Sequence, residues 1–263
     1  MKTVASVLNL YAAREADQNI AILLSGGIDS ASVLFSLINA KKNVTCYTFM
    51  LDGILSTDFA MARHLCKKVG TQFVPIFLPT NYDVIIDDLR TLASMGAKTK
   101  TDFECAWPLL YCYKQIKERS VYSGMGADGH FCISKKGMIH WRDRIDAFRK
   151  QLYSSPRYAQ AGIHRNIAAL HGKHHTAPFM TPEMREVFLG TTWEDVNKPK
   201  QKQPIIDALG SRARFLKKIN PHTNLQLGDS GIAKHLGGLV TTKYNRWNYK
   251  SVTGIYNHIA RGS

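Results

Sequence analysis

The fold is decided by the run Asn19-Ile-Ala-Ile-Leu-Leu24 and by the residues that follow it, Ser25-Gly26-Gly27-Ile28-Asp29-Ser30. The apolar run is typical of a buried parallel strand, and residues 31–40 carry apolar side chains at helical spacing. The glycines let backbone N–H groups approach phosphate oxygens, and the start of a helix adds partial positive charge. This unit therefore predicts a phosphate-binding loop, but not a Walker A loop, because G-x-x-x-x-G-K-[ST] is absent.

Strand and helix patterns continue to alternate beyond this unit. Further strands are predicted at residues 44–51, 72–78 and 120–123, with helical patterns between them. Such alternation predicts an α/β fold with a parallel sheet, flanking helices and ligands at the carboxyl ends of the strands. Beyond the fourth strand the patterns are mainly helical. We therefore expect an α/β core over residues 1–135 and a mostly helical, basic region over residues 136–263 that completes the fold.

The charge of the chain is concentrated in its second half. The net charge is +15, and residues 1–134 contain 13 Lys and Arg against 12 Asp and Glu, whereas residues 135–263 contain 22 against 8. A field of this sign attracts polyanions and phosphate-bearing ligands, although a basic surface also serves solubility alone. The stretch Lys243–Lys250 interleaves basic and aromatic residues, which suits stacking on bases. Nucleic acid is therefore a candidate partner of the basic C-terminal half.

Cysteine usage and hydropathy indicate a cytoplasmic protein. The five cysteines are odd in number and form no C-x-x-C pair, which argues against a disulfide framework or a zinc knuckle. No apolar run reaches the length of a transmembrane helix, and the chain shows no secretory signal. We therefore expect no membrane partner.

A second glycine-rich turn, Ser123-Gly124-Met125-Gly126-Ala127-Asp128-Gly129, follows the fourth predicted strand. Its G-x-G-x-x-G spacing is by itself a nonspecific sign of dinucleotide binding, because this turn is not the first strand–helix connection. Both glycine-rich turns follow strands of a parallel sheet. They can therefore be neighbours at one edge of the sheet although they are far apart in sequence.

Together, the two turns resemble the S-G-G-[LI]-D-S and S-G-E-G-A-D-E motifs of the synthetase domain of asparagine synthetases and β-lactam synthetases. That domain belongs to the PP-loop, or N-type, ATP pyrophosphatases, which have an adenine nucleotide α-hydrolase-like fold. Asp58 and Pro108 also stand where the family has an aspartate and a proline. The resemblance is good over residues 18–135 and thin afterwards, where Ala177-Pro178-Phe179-Met180 is similar to the family's V-P-F-[LM] segment.

The resemblance implies an ATP-dependent, AMP-forming ligase that uses ATP and Mg²⁺. A small substrate carboxylate would attack the α-phosphorus and release pyrophosphate, and ammonia or another amine would then displace AMP to form an amide. Asp29 and Asp128 would be catalytic residues that hold Mg²⁺ against the phosphates. The implied nucleotide-binding residues are Leu23, Ser25, Gly26, Gly27, Asp29, Ser30, Thr48, Phe49 and Gly124. Of these, Leu23 and Gly124 would flank the adenosine, and Thr48 and Phe49 would contact the adenine.

Three departures from the family pattern bear on the chemistry. Met125 and Gly129 replace glutamates, and a thioether cannot transfer protons, so we expect the acyl acceptor or the acyl donor to differ from the pair used in asparagine synthesis, ammonia and aspartate. Residue 2 is Lys rather than a catalytic Cys, so the amine is expected to be free ammonia, another amine or ammonia from a partner. Asn224 occupies the register of the family's catalytic lysine. The candidates for that role are Lys202, Lys217, Lys218 and Lys234, of which we favour Lys218.

Two other functions stay open at this point. A PP-loop enzyme that adenylates a base carbonyl in a nucleic acid, and replaces its oxygen with an amine or sulfur, would use the same loop and would account for the charge. A non-catalytic binding module is disfavoured, because a site that no longer binds Mg²⁺ and ATP would not need the two carboxylates of Asp29 and Asp128.

Histidine and cysteine side chains outside the two turns give less specific signals. His171, His174 and His175 predict a basic surface loop rather than a metal site, because no carboxylate or Cys has suitable local spacing. His130 directly follows the second turn, and a structural role is favoured over general-base catalysis. Cys105 as a nucleophile would need an activating base that the sequence does not identify.

Overall fold

The computed structural model describes residues 2–80, 82–154, 159–216, 230–244 and 251–261. The strands within these residues are β1 (Asn19–Leu23), β2 (Asn43–Leu51), β3 (Gln72–Leu78), β4 (Ser120–Ser123) and β5 (His174–Thr176). They form one parallel sheet in the order β3-β2-β1-β4-β5. The predicted α/β fold with a parallel sheet and flanking helices is therefore confirmed.

Helices connect the strands and make up most of the described part of the second half. In the first half they are α1 (Val4–Arg14), α2 (Ile28–Asn39), α3 (Thr57–Val69), α4 (Tyr82–Ser94) and α5 (Lys100–Gln115). In the second half they are α6 (Lys135–Trp141), α7 (Ile145–Ser154), α8 (Ala159–Leu170), α9 (Pro182–Phe188), α10 (Trp193–Asn197), α11 (Gln203–Leu209), α12 (Ile232–Tyr244) and α13 (Val252–Ala260). None of these described helices is both long and apolar enough to cross a membrane.

The sheet buries a separate apolar cluster on each face. Ile20 and Ile22 of β1 point to the cluster formed with α1, α2 and α3, whereas Ala21 points to the cluster formed with α4 and α5. Successive side chains of a strand point to opposite faces, so a strand covered on both sides must be apolar throughout. This is why residues 20–23 of β1 are all apolar.

The central position of β1 brings the two glycine-rich turns together. β1 pairs with β4, and Leu23 lies opposite Ser123 at the last step of the register. Because parallel strands end at the same edge, the loops that follow them leave the sheet side by side. The expectation that these distant segments are neighbours is therefore confirmed.

The structure corrects the interpretation of the histidine cluster. His174–Thr176 is strand β5 rather than part of a surface loop, and it pairs with β4 at the edge of the sheet. His175 is buried, which the charge-rich sequence around it does not suggest. A strand of this length is too short for a period-two pattern. Strand β5 lies beyond position 135 but belongs to the same sheet as the four earlier strands. The division into an α/β core over residues 1–135 and a helical region over residues 136–263 stays a prediction.

Candidate active site

The first glycine-rich loop runs from the end of β1 to the start of α2. Gly27 is the N-cap of α2 and provides no side-chain cap, so the first-turn N–H groups face the loop without a capping hydroxyl or carboxylate. The loop is folded by hydroxyl contacts, since the Ser30 Oγ accepts the Ser25 N–H at 3.2 Å and lies 3.2 Å from the Ser25 Oγ. Backbone donors at a helix start, next to serine hydroxyls, suit an anion such as a phosphate.

Two features of the structure require glycine at position 26: its backbone conformation and the close approach of α3. Its φ is +76°, in the left-handed region that favours glycine. A Cβ at this position would lie 2.6 Å from the Ala62 nitrogen and 2.6 Å from the Met61 Cβ, both in α3. The start of α3 therefore packs directly against the loop and limits its movement.

The second glycine-rich loop packs on the backbone of the first. A Cβ on Gly124 would lie 2.6 Å from the Ser30 nitrogen and 2.8 Å from the Asp29 carbonyl carbon. Gly126, with φ +88°, turns the chain into a short 3-10 helix, Ala127–His130, that carries Asp128. The absence of a side chain at Gly124 thus allows the carboxylates of the two loops to approach one another.

We expect Gly124→Ala to push the two loops apart. The new Cβ would overlap backbone atoms, which cannot rotate away, so the free energy of unfolding should fall by about 1–3 kcal/mol. The matched control is Gly162→Ala in α8, where an added Cβ meets nothing within 4 Å and stability should rise by about 0.5–1 kcal/mol. Urea unfolding measures both variants, and equal effects would contradict the close approach of the loops.

The carboxylates of both loops meet on the ammonium group of Lys202. Its Nζ lies 2.6 Å from Asp29 Oδ2 and 2.5 Å from Asp128 Oδ1. The structure thus brings together the two aspartates that the sequence singled out, and it adds a lysine from a segment 173 residues beyond Asp29. The three charged groups lie at the carboxyl edge of the sheet, beside the first glycine-rich loop.

The backbone around Lys202 holds its side chain in place. Lys202 is the N-cap of α11, has φ +62°, and is only 7% exposed. Its N–H donates to Asn197 Oδ1 at 3.3 Å, and the Asn197 amide group donates to the Phe131 carbonyl at 2.9 Å. Phe131 directly follows the 3-10 helix of the second loop. The position of Lys202 is therefore coupled to that loop through a buried asparagine.

Lys202 stays a cation in this setting. Burial, the largest single influence, lowers the pKa of Lys202, but the nearby Asp29 and Asp128 carboxylates together outweigh it, and the net shift of the pKa is upward. An ammonium group buried among carboxylates is a strong local charge in a place where water screens it poorly.

The other candidate lysines lie elsewhere or outside the described residues. Lys234 is exposed on α12. Lys217 and Lys218 fall outside the described residues, so the catalytic role assigned to Lys218 stays a prediction. Nothing in the local sequence distinguishes Lys202 from the other lysines, because its partners come from two distant loops.

Apart from Gly124, the residues that the resemblance assigns to the adenosine lie near the ends of β1 and β2. Leu23 and Phe49 are half-buried, and Thr48 is buried. The Thr48 hydroxyl donates to the Leu24 carbonyl at 2.6 Å, which links the two strands where the first loop begins. That hydroxyl is already used, so a nucleotide contact from Thr48 would involve its methyl or backbone groups. The adenine contacts stay a prediction.

His130 has the surroundings of a structural histidine. It is fully buried, its Nε2 lies 2.7 Å from the Phe179 carbonyl oxygen, and its Nδ1 lies 2.8 Å from the Tyr153 hydroxyl. Burial lowers the pKa of His130 to about 3. The ring is thus neutral near pH 7 and hydrogen-bonded within the core, which favours the structural interpretation over a general base.

The surroundings of Cys105 and Gly129 limit the roles that these two positions can have. Burial raises the pKa of the Cys105 thiol to about 12, with the carboxylates of Glu104 and Asp102 adding to the shift, so Cys105 is not an activated nucleophile. At Gly129 a Cβ would lie 2.5 Å from the Leu152 Cδ2, because α7 packs over this position. A glutamate here would have to displace that helix side chain.

Comparison with known proteins assigns the chain to a family. The family model described as asparagine synthase matches residues 11–223, and the chain belongs to this family. The matched range contains both glycine-rich loops and Lys202.

The individual relatives are similar over limited segments. A probable glutamine-hydrolysing asparagine synthetase of Acanthamoeba polyphaga mimivirus is 29% identical over 122 residues, which is 43% of this chain and 21% of that protein. The microcin J25-processing protein McjC of Escherichia coli is 26% identical over 81 residues, which is 31% of this chain and 16% of that protein. The matches thus span about a fifth or less of these relatives.

Among solved structures, the U34-tRNA thiolase NcsA from Methanococcus maripaludis aligns over 98% of this chain and 76% of its own, with 15% identity and a TM-score of 0.43. At that TM-score the likeness supports no functional comparison.

Proposed function

We propose that this chain is an ATP-dependent, AMP-forming ligase that adenylates a small carboxylate and transfers the acyl group to ammonia or another amine. Membership of the asparagine synthase family supports an ATP-dependent ligase-type enzyme. The observation that carries the proposal is the convergence of Asp29 and Asp128, from two loops at one sheet edge, on the ammonium of Lys202.

The first loop would bind the β- and γ-phosphates, which leave as pyrophosphate. The N–H groups at the start of α2 and the Ser25 hydroxyl would donate to phosphate oxygens. The Ser30 hydroxyl, which donates to the Gly27 carbonyl at 3.3 Å, would have to exchange that partner for a phosphate oxygen. Lys202 would add a positive charge beside them. An ammonium group is a compact positive charge, and it would attract the negatively charged phosphate oxygens.

The residues present fit a Mg²⁺ ion. Asp29 and Asp128 offer carboxylate oxygens within 2.6 Å and 2.5 Å of one cationic nitrogen, so they are close enough to share a single cation. Mg²⁺ prefers oxygen ligands and is usually held by one or two carboxylates together with waters and substrate phosphates. When bound, such an ion would neutralise charge on the phosphates and polarise their oxygens.

The proposed reaction has two steps. In the first, an oxygen of the substrate carboxylate bonds to the α-phosphorus while the bond from that phosphorus to the bridging oxygen breaks, and the electron pair leaves with pyrophosphate. In the second, the amine nitrogen bonds to the acyl carbon, loses a proton, and AMP departs with the former carboxylate oxygen. The protein contributes mainly placement and charge stabilisation, as is typical of phosphoryl chemistry.

The alternative is a PP-loop enzyme that modifies a nucleic-acid base. The second half of the chain, with 22 Lys and Arg against 8 Asp and Glu, favours this reading. The basic–aromatic stretch itself lies outside the described residues from position 245 onward.

One assay separates these functions. The protein is incubated with Mg²⁺ and ATP labelled with ³²P at the α-phosphorus, together with amino acids and ammonium in one series and with RNA or DNA in another. We expect labelled AMP and unlabelled pyrophosphate in the first series. Release of AMP only with nucleic acid would favour the alternative, and labelled ADP would contradict the chemistry of both.

A further inference from the structure

A buried polar chain links strand β5 to the second glycine-rich loop. Ser123 is the last residue of β4, and its Oγ lies 2.9 Å from Nε2 of His175. The same oxygen accepts the N–H of Met125 at 3.3 Å. One hydroxyl therefore joins a side chain of the sheet edge to a backbone group of the loop.

The protonation of His175 suits this arrangement. Burial lowers the pKa of His175 to about 4, and the nearby His174 and Arg165 side chains act in the same direction. A neutral ring has one donor and one acceptor nitrogen. With its proton on Nδ1, the ring accepts the Ser123 hydroxyl at Nε2 and leaves the serine oxygen to accept the Met125 N–H.

The chain is confined by its surroundings. Ser123 is 6% exposed and His175 is 9% exposed, so water cannot replace either partner freely. The His175 ring packs near the rings of His164 and Tyr113, at centroid distances of 5.4 Å and 6.3 Å. Hydrogen bonds in such low-dielectric surroundings are strong and hold one arrangement.

The link acts on the point where the two glycine-rich loops touch. Gly124 lies between Ser123 and Met125, and its Cα faces the backbone of Asp29 and Ser30 closely enough to leave no room for a Cβ. Asp128 follows three residues after Met125. A change in the Met125 backbone would therefore move both the contact with the first loop and the carboxylate that pairs with Lys202.

We propose that His175 is a positioning residue of the nucleotide site, which sets the backbone of the second loop through the Ser123 hydroxyl. The part of this proposal that concerns ATP rests on the proposed function. Its structural part, that the two side chains hold residues 124–128 in place, does not.

The experiment uses Ser123→Ala and His175→Phe, singly and combined, and His175→Gln, which keeps an amide for hydrogen bonding. The matched control is His174→Phe, because His174 is the exposed neighbour of His175 on the same strand. Amide hydrogen exchange of the 124–128 segment reports on the loop, and binding of Mg²⁺-ATP reports on the site.

We expect exchange in the 124–128 segment to be about tenfold faster in Ser123→Ala and His175→Phe, with β1 unchanged, and Kd for Mg²⁺-ATP to rise about three- to tenfold. The double variant should resemble the more affected single variant, because both changes break one chain. His175→Gln should restore part of the affinity, and His174→Phe should match the unmodified protein.

If the folded single variants show unchanged amide exchange in the 124–128 segment, the proposal is overturned. It is also overturned if the losses in binding free energy of the two single variants add fully in the double variant. If His175→Phe does not fold, Ser123→Ala carries the test, since it removes only the hydroxyl. Faster exchange in a protein that binds no ATP would support the positioning role while refuting the proposed function, so the two failures are distinguishable.

Discussion

Replacing Asp29 or Asp128 with Asn is expected to lower kcat/KM for ATP cleavage by about 10²- to 10³-fold. Each substitution keeps the size of the side chain and removes one of two carboxylates that converge on a single cationic position. The remaining carboxylate can bind a metal ion only weakly, so a higher Mg²⁺ concentration should be needed for half-maximal turnover. Initial rates of AMP formation at varied Mg²⁺ measure both effects.

The matched control for these variants is Asp87→Asn. Asp87 is an exposed carboxylate on α4 that pairs with Arg90. This substitution should leave turnover and Mg²⁺ dependence unchanged. Near-normal turnover of both active-site variants, with the same Mg²⁺ dependence as the unmodified protein, would rule out the metal role of the two aspartates.

Replacing Lys202 with Met is expected to lower kcat/KM by about 10²-fold. Unlike the aspartate substitutions, it should strengthen the binding of Mg²⁺ in the absence of ATP. Methionine fills the same buried volume without the charge. Removing the ammonium leaves two carboxylates without their shared partner, so the free energy of unfolding should fall by about 2 kcal/mol, less than for a fully buried pair because solvent reaches both carboxylates.

The second effect follows from competition for the same oxygens. In the unmodified protein a Mg²⁺ ion that arrives without ATP must compete with the Lys202 ammonium, whereas in Lys202→Met it does not. Mg²⁺ alone should therefore raise the melting temperature of the variant more than that of the unmodified protein. The control is Lys200→Met, an exposed lysine two residues away. Equal responses of Lys202→Met and the unmodified protein to Mg²⁺ would show that the ion and the lysine do not share the carboxylates.

The sequence predicts those parts of the site that depend on local sequence patterns. The apolar run before Ser25 and the glycines after it indicate a strand, a loop and a helix start within a dozen residues, and the turn at Gly124 repeats this arrangement. The reason is that strand burial, glycine conformations and helix starts depend on neighbours along the chain. The parallel sheet then follows from the alternation of elements.

Lys202, His175 and strand β5 could not be found in this way. Lys202 is one of many basic residues in a basic half, and only its approach to Asp29 and Asp128 distinguishes it. His175 stands in a charge-rich stretch that is typical of a surface loop, and it is buried because its short strand completes the edge of the sheet beside β4.

From its sequence alone, the chain is determined to be an α/β protein with two glycine-rich loops, each carrying an aspartate, at the ends of parallel strands. Tertiary structure alone decided that one lysine from the basic half joins those aspartates, and that a histidine of the edge strand holds the second loop. The physical reason is that loop conformation is set by residues next to each other, whereas charge pairing and burial are set by segments that meet only when the chain has folded.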